Sequence, residues 1–181
     1  YGAQKVLHAA DARLHEVEST VYTKIVAEAA EKEGSQVIIF PHNFDGKAIA
    51  PRVAARLKAG LVAGAISYPD TSNGFVVKKN VFSGKAFAQI NVTSDKKVIS
   101  IIPNTFPVTP GTAAATVEAF SPAINDADFK VKVVKTETVS GDIPLTEAEI
   151  IVSGGRGLKG PENWGILEDL AKALGAATAS S

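Results

Sequence analysis

Residues 153–164 read SGGRGLKGPENW: four glycines, a fifth at Gly165 just beyond, one proline and two cations, directly after the apolar run EIIV. Gly155, Gly157 and Gly160 stand at the G-x-G-x-x-G spacing of a dinucleotide fingerprint. Glycine admits positive φ and lets a backbone come close to a ligand, and exposed amides that open a helix attract phosphate. The flanks read as strand and helix. EIIVS (149–153) is a short buried strand, and WGILEDLAKAL (164–174) places Ile166, Leu167, Leu170, Ala173 and Leu174 on one stripe. Pro161 suits a first helical position, Glu162 complements the helix dipole there, and Gly175 is a stop. Two features depart from an NAD fingerprint. Pro161 delays the helix until after the third glycine, and the acidic ribose ligand required about 20 residues on would fall where the chain reads ATASS. In a chain with 15 glycines the spacing alone carries little, and an irregular strand-to-helix connection accounts for it better than an NAD fingerprint does.

Outward from this loop, the front half alternates. An opening strand (about 4–9), QVIIFP (36–41) and LVAGAISY (61–68) are apolar runs. Between the first two lies TVYTKIVAEAAEKEG, with Tyr22, Val26, Ala29 and Ala30 on one face, Ser19 as N-cap and Gly34 as stop. Between the second and third lies GKAIAPRVAARLKAG, with Ile49, Val53 and Leu57 four apart and Pro51 set to kink the helix or start it late. Strand, helix, strand, helix, strand predicts parallel pairing with covering helices, an α/β fold. GFVVKKNVF and KAFAQINV, joined at Ser83-Gly84, read as an antiparallel hairpin, followed by the strand KVISIIP (97–103). Residues 104–128 are loop-rich, with TAAATVEAF open between helix and strand, and FKVKVVKTETV (129–139) alternates like a strand. Turn chemistry in SGDIPLTEAE sets a domain boundary, giving 1–142 and 143–181.

Composition narrows the function classes. In 181 residues, nineteen basic and nineteen acidic side chains cancel, which argues against a nucleic-acid surface. No run has the length of a membrane span. With no cysteine there is neither disulfide nor thiolate metal site, and His8, His15 and His42 lack metal-ligand spacing, so no metal is expected. No acid–base pair or triad emerges, so no catalytic residue is assigned. His42 and Asp45, just past the strand at 36–41, lie where open α/β sheets bind ligands; a partly exposed His42 beside a helix capped by Asp45 explains them as well. The absence of methionine, even at position 1, points to an internal segment of a longer chain or to modified methionines missing from the written sequence.

Taken together, PHNFDGKAIAPRVAARLKAGLVAGA, VFSGKAFAQINV and IIVSGGRGLKGPENWGILEDLAKALGAA closely resemble the alpha subunit of electron transfer flavoproteins. The resemblance implies a Rossmann-like α/β front domain, short of its first elements, followed by the first β-α unit of a second, Rossmann-like FAD-binding domain. It implies FAD as the cofactor of the complete protein, held in part by contacts that lie beyond Ser181, so that this piece alone is expected to hold none. Carried over residue by residue, it implies that Gly155, Arg156 and Gly157 contact FAD, and that Ser181 begins a Ser-Arg pair whose arginine lies past the last residue. It further implies a beta-subunit partner, flavin dehydrogenases such as acyl-CoA dehydrogenases as electron donors, no turnover of a substrate of its own, and a cytoplasmic location, or the mitochondrial matrix in a eukaryote. The alternatives are a stand-alone nucleotide-binding module of the universal-stress-protein kind and an NAD-dependent oxidoreductase. Trp164 reads as an anchor of the loop-to-helix junction rather than a flavin stack.

Overall fold

The alternation of apolar runs and amphipathic segments yields β1 (Lys5–His8), α1 (Ser19–Lys32), β2 (Val37–Pro41), α2 (Phe44–Leu57), β3 (Gly60–Ala65), β4 (Val76–Val81), β5 (Ala86–Asn91), β6 (Lys97–Ile101), β7 (Thr116–Ala119), β8 (Ile151–Gly154), α3 (Gly165–Leu174) and β9 (Ala177–Ser180). This computed structural model describes residues 2–112, 114–137, 143, 145 and 148–180. The chain divides into two compact units, Tyr1–Val134 and Lys135–Ser181. The boundary expected between 142 and 143 touches residues outside the described set.

In the first unit the main sheet runs in the order β2-β6-β3-β4-β5. β6 lies between β2 and β3 and is parallel to both; β4 and β5 form the expected antiparallel hairpin. Val98, Ile99 and Ser100 are buried in succession, because both faces of β6 are covered. Ala27 and Ala30 of α1, with Ile49, Ala50, Val53, Ala54 and Leu57 of α2, pack on the face that carries Phe40 and Val98. Val62, Ala65, Val77, Val92 and Ile99 form the core of the opposite face. The mixed α/β class read from the sequence is the class observed.

Several local expectations are corrected. The opening strand does not join β2: it pairs in parallel with β7 as a separate two-stranded sheet, which also settles TAAATVEAF as a strand at its end. Ion pairs tie this small sheet to the end of α1, with Lys5 reaching Glu33 at 2.8 Å and Lys32 reaching Glu118 at 2.6 Å. Glu18, not Ser19, caps α1, its carboxylate accepting from the Val21 amide at 2.7 Å. The side chain of Asn43, not Asp45, caps α2, accepting from the Gly46 amide at 2.8 Å. Pro51 sits inside α2 without ending it, on the exposed side, so the Lys47 carbonyl deprived of an amide partner faces water. Residues 129–137 form no strand. Their alternation is genuine, but no neighbouring strand accepts their hydrogen bonds, and Val131, Val133 and Val134 stay exposed; Val139 lies outside the described residues.

The second unit contains a β-α-β turn of the chain. β8 and β9 are parallel neighbours, so the connection must cross over, and α3 makes that crossing. Gly175 ends α3 in the left-handed conformation at φ 61°, as its position after the apolar stripe predicts. The stripe itself is only partly used. Ala171 is buried, whereas Ile166, Leu170 and Leu174 remain exposed because the two-stranded β8–β9 sheet is too narrow to cover them.

One glycine tests how closely α2 meets β2. A Cβ on Gly46 would stand 1.7 Å from the carbonyl oxygen of Pro41 and 2.9 Å from its carbon. Backbone cannot yield as a flexible side chain would, so Gly46→Ala should lower the unfolding free energy by roughly 1–3 kcal/mol. Urea titration measures it; an unchanged midpoint with an unchanged slope would contradict this packing.

Candidate functional site

The glycine stretch folds as two single turns of 3-10 helix before α3 begins. The first covers Arg156–Leu158 and the second Pro161–Asn163, with Pro161 at the start of its turn. Leu158 donates to the Gly155 carbonyl at 3.0 Å, Lys159 to Arg156 at 3.1 Å, Asn163 to Gly160 at 3.2 Å and Trp164 to Pro161 at 3.0 Å. The Asn163 side chain donates to the Leu158 carbonyl at 2.8 Å and braces the first turn. The delay that Pro161 imposes on the helix is therefore observed.

The glycines divide by what requires them. A Cβ on Gly154 would meet Leu167 at 2.3 Å, Leu158 at 2.5 Å and Trp164 at 3.1 Å, so packing within the unit excludes a side chain there. This also places Trp164 as an anchor of the junction. At Gly160 a Cβ would meet the Glu162 carboxylate at 2.3 Å. Gly157 differs: a Cβ there would meet nothing within 4 Å, and its φ lies outside the left-handed region. Among the described residues, no packing contact asks for glycine at 157. What remains is open space at a backbone, the condition for a ligand to approach closely.

Beside the same loop lies a hollow of about 260 Å³ lined by Gly154, Gly155, Arg156, Lys159, Trp164 and Ser180, among others, with Gly157 outside its lining. Among the described residues, no acceptor is present for the amides of Gly155, Arg156 and Gly157. Arg156 and Lys159 are both exposed, and neither joins an ion pair with a described residue. Free amides, two unpaired cations and room for a close approach suit a phosphate-bearing ligand. The hollow is smaller than the roughly 300–1,000 Å³ of sites for drug-sized ligands, so it fits one part of a dinucleotide. Of the four residues assigned from the sequence, Gly155 and Arg156 line this hollow, and Gly157 follows them in the same turn without lining it. Ser181 lies outside the described residues, next to Ser180 on the rim. Sequence reading missed Lys159, although its place between Gly157 and Gly160 was visible.

Other places in the fold offer less. Two larger hollows, of about 730 and 680 Å³, lie beside residues 8–18. Of the cations there, Arg13 is already neutralised by Asp11 and Asp126, each at 2.6 Å, while Lys132 also lines the second hollow. At the carboxyl end of the main sheet, His42 Nδ1 lies 2.8 Å from Ser100 Oγ, which also accepts from the Gly64 amide at 3.2 Å. Gly64 has φ +78° at a β-bulge; a Cβ there would sit in ordinary van der Waals contact with the His42 imidazole, 3.5 Å from Nε2, so the backbone conformation and not lack of space favours glycine. Ser100 is only 1% exposed, so its hydroxyl is a structural tie and not an accessible nucleophile. Among the described residues no cluster could hold a metal ion, and no helix is long and apolar enough to cross a membrane.

Comparison with known proteins bears on both units. Residues 1–125 match the family model described as electron transfer flavoprotein domain, and residues 144–181 match the one described as electron transfer flavoprotein FAD-binding domain. The electron transfer flavoprotein subunit alpha of Bacillus subtilis (strain 168) is 34% identical over 183 residues, covering 100% of this chain and 56% of that relative. The corresponding subunit of Mycobacterium leprae (strain TN) is 30% identical, covering 99% of this chain and 56% of the relative. The mitochondrial one of Dictyostelium discoideum is 31% identical, covering 92% and 50%. The chain thus spans about half the length of these relatives.

His42 supplies a test of the sheet's carboxyl end. Desolvation, followed by the charges of Lys47 and Lys79, lowers its pKa below the ordinary value near 6.5. The folded protein then resists protonation that the unfolded chain accepts. Its contribution is fully present above about pH 6.5 and is lost as pH falls from there through the lowered folded value. Urea midpoints measured at about pH 7.5 and about pH 5.5 should drop more for the wild type than for His42→Gln. Equal drops would show that the ring is not desolvated as described.

Proposed function

This chain belongs to the electron transfer flavoprotein family, in its alpha-subunit branch, and on that premise we propose that it is part of an FAD-dependent electron carrier whose loop at 154–164 grips the cofactor. The observation that carries this reading is Gly157, a glycine outside the left-handed region whose absent Cβ meets no described residue, beside Arg156 and backbone amides that have no acceptor among the described residues. Gly155 and Gly157 let the amides come close to the ligand. Arg156 presents a planar, permanently charged fork suited to paired oxygens. Ser181, which follows Ser180 in sequence, adds a hydroxyl contact to FAD. FAD, when bound, supplies reversible uptake of one or two electrons; the protein's share is to hold it, tune it and present it. β8 and α3 fix the two ends of the loop, so that its amides are oriented before a ligand arrives.

The complete protein then acts as a carrier and not as a catalyst with its own substrate. Its partner is a beta subunit, its donors are flavin dehydrogenases such as acyl-CoA dehydrogenases, and its place is the cytoplasm, or the mitochondrial matrix in a eukaryote. These assignments rest on the family; the relatives' names specify only the subunit and, for the Dictyostelium protein, the organelle.

The complete subunit, produced with its partner, should purify yellow with stoichiometric FAD. Arg156→Ala should weaken FAD binding by about ten- to a hundredfold, the equivalent of roughly 1.5–3 kcal/mol, while thermal stability without flavin hardly changes. Equilibrium titration of the apoprotein with FAD measures the first and calorimetry the second. An FAD dissociation constant and a flavin potential both left unchanged would remove Arg156 from the site.

A further inference from the structure

Lys159 has φ 67° and ψ −28°, a left-handed conformation that disfavours any residue with a Cβ. Its place in the loop is fixed from both sides. The Leu158 carbonyl, on the preceding peptide, accepts from Asn163 at 2.8 Å, and the Lys159 amide donates to Arg156 at 3.1 Å. Leu158 packs inward, where its Cδ1 lies against Gly154, and the exposed Lys159 follows on the rim of the same hollow as Arg156. Glycine is therefore present at 157, where the backbone does not need it, and absent at 159, where the backbone favours it. A strained residue kept between glycines serves something other than the fold.

The charge is the remaining candidate. Lys159 has no carboxylate partner among the described residues, and Glu162, the nearby acid of the loop, holds its carboxylate against Gly160. Arg156 and Lys159 line a hollow too small for a whole dinucleotide, together with Gly155, and among the described residues the amides of Gly155 and Arg156 have no acceptor. An uncharged ring system gains little from a second cation, whereas a diphosphate carries two negative charges. A lysine is a compact point charge that needs no planar fork to meet a phosphate. Resting on the FAD reading given above, we infer that Lys159 is a second anion-binding residue of the loop and pairs with the diphosphate of the bound cofactor.

The test uses the complete FAD protein with its partner subunit and compares wild type with Lys159→Gln, Lys159→Gly and Lys159→Arg. Gln removes the charge and keeps the backbone strain; Gly removes both. The FAD dissociation constant should rise about tenfold for Gln and for Gly and stay within about threefold for Arg. The loss should shrink between about 0.05 M and about 0.5 M salt. The melting temperature of the apoprotein should be unchanged or higher for Lys159→Gly, since strain is relieved. Unchanged FAD affinity in Lys159→Gln, with the wild type yellow, overturns this inference and leaves the FAD reading standing. A loss that Arg does not restore and salt does not reduce, or a lower melting temperature in Lys159→Gly, assigns Lys159 to the fold and also overturns it. A wild-type protein that holds no FAD overturns both.

Discussion

The first unit depends on β6 being buried on both faces. KVISI enters the sheet between β2 and β3, far from either in sequence, and pairs in parallel with both. Val98 joins the core under α1 and α2, Ile99 joins the opposite core with Val62 and Val77, and Ser100 ties His42 to Gly64. A strand in this position has no polar face, and its three consecutive buried side chains are the consequence. The helices can then lie on one side, with α2 close enough to β2 that only glycine fits at 46. A parallel core of this kind places the strand ends and the first turns of helices together, which is where His42 and Asn43 are found.

The second unit obeys a different constraint. Its β-α-β turn is short, and its loop must serve both the chain and a ligand. Gly154 and Gly160 answer to the chain, through Leu158, Leu167 and Trp164 in one case and Glu162 in the other. Gly157 answers to neither, and Lys159 tolerates strain that a glycine would avoid. A glycine fingerprint is thus two patterns superposed, one of packing and one of recognition. The spacing G-x-G-x-x-G mixes them: a side chain at its third glycine would displace the Glu162 carboxylate, whereas at Gly154, outside the motif, it would meet Leu158, Leu167 and Trp164.

Much of this was legible in the sequence, for physical reasons that differ from element to element. β2, β3 and β6 were visible because doubly buried strands are continuous apolar runs. α2 was visible through Ile49, Val53 and Leu57, and the hairpin through Ser83-Gly84 between two β-rich runs. The pairing of β1 with β7 was not legible, since periodicity records which side of a strand is apolar and not which strand lies beside it. Residues 129–137 carry a strand's alternation without a partner to complete it. The caps at Glu18 and Asn43 displaced the expected Ser19 and Asp45 because several polar side chains compete at a helix start, and local geometry chooses among them. At the candidate site, Gly155, Arg156 and Gly157 were singled out through a resemblance and not through their spacing. Lys159 was overlooked because its left-handed backbone leaves no mark on a sequence.

The central claim is that the space at Gly157 belongs to the cofactor and not to the fold. The most direct measurement is the FAD dissociation constant of Gly157→Ala in the complete protein, alongside the melting temperature of the apoprotein. A methyl group there meets nothing in this chain within 4 Å, so the apoprotein should melt as the wild type does while FAD binding weakens by about tenfold or more. FAD affinity equal to that of the wild type would contradict the account.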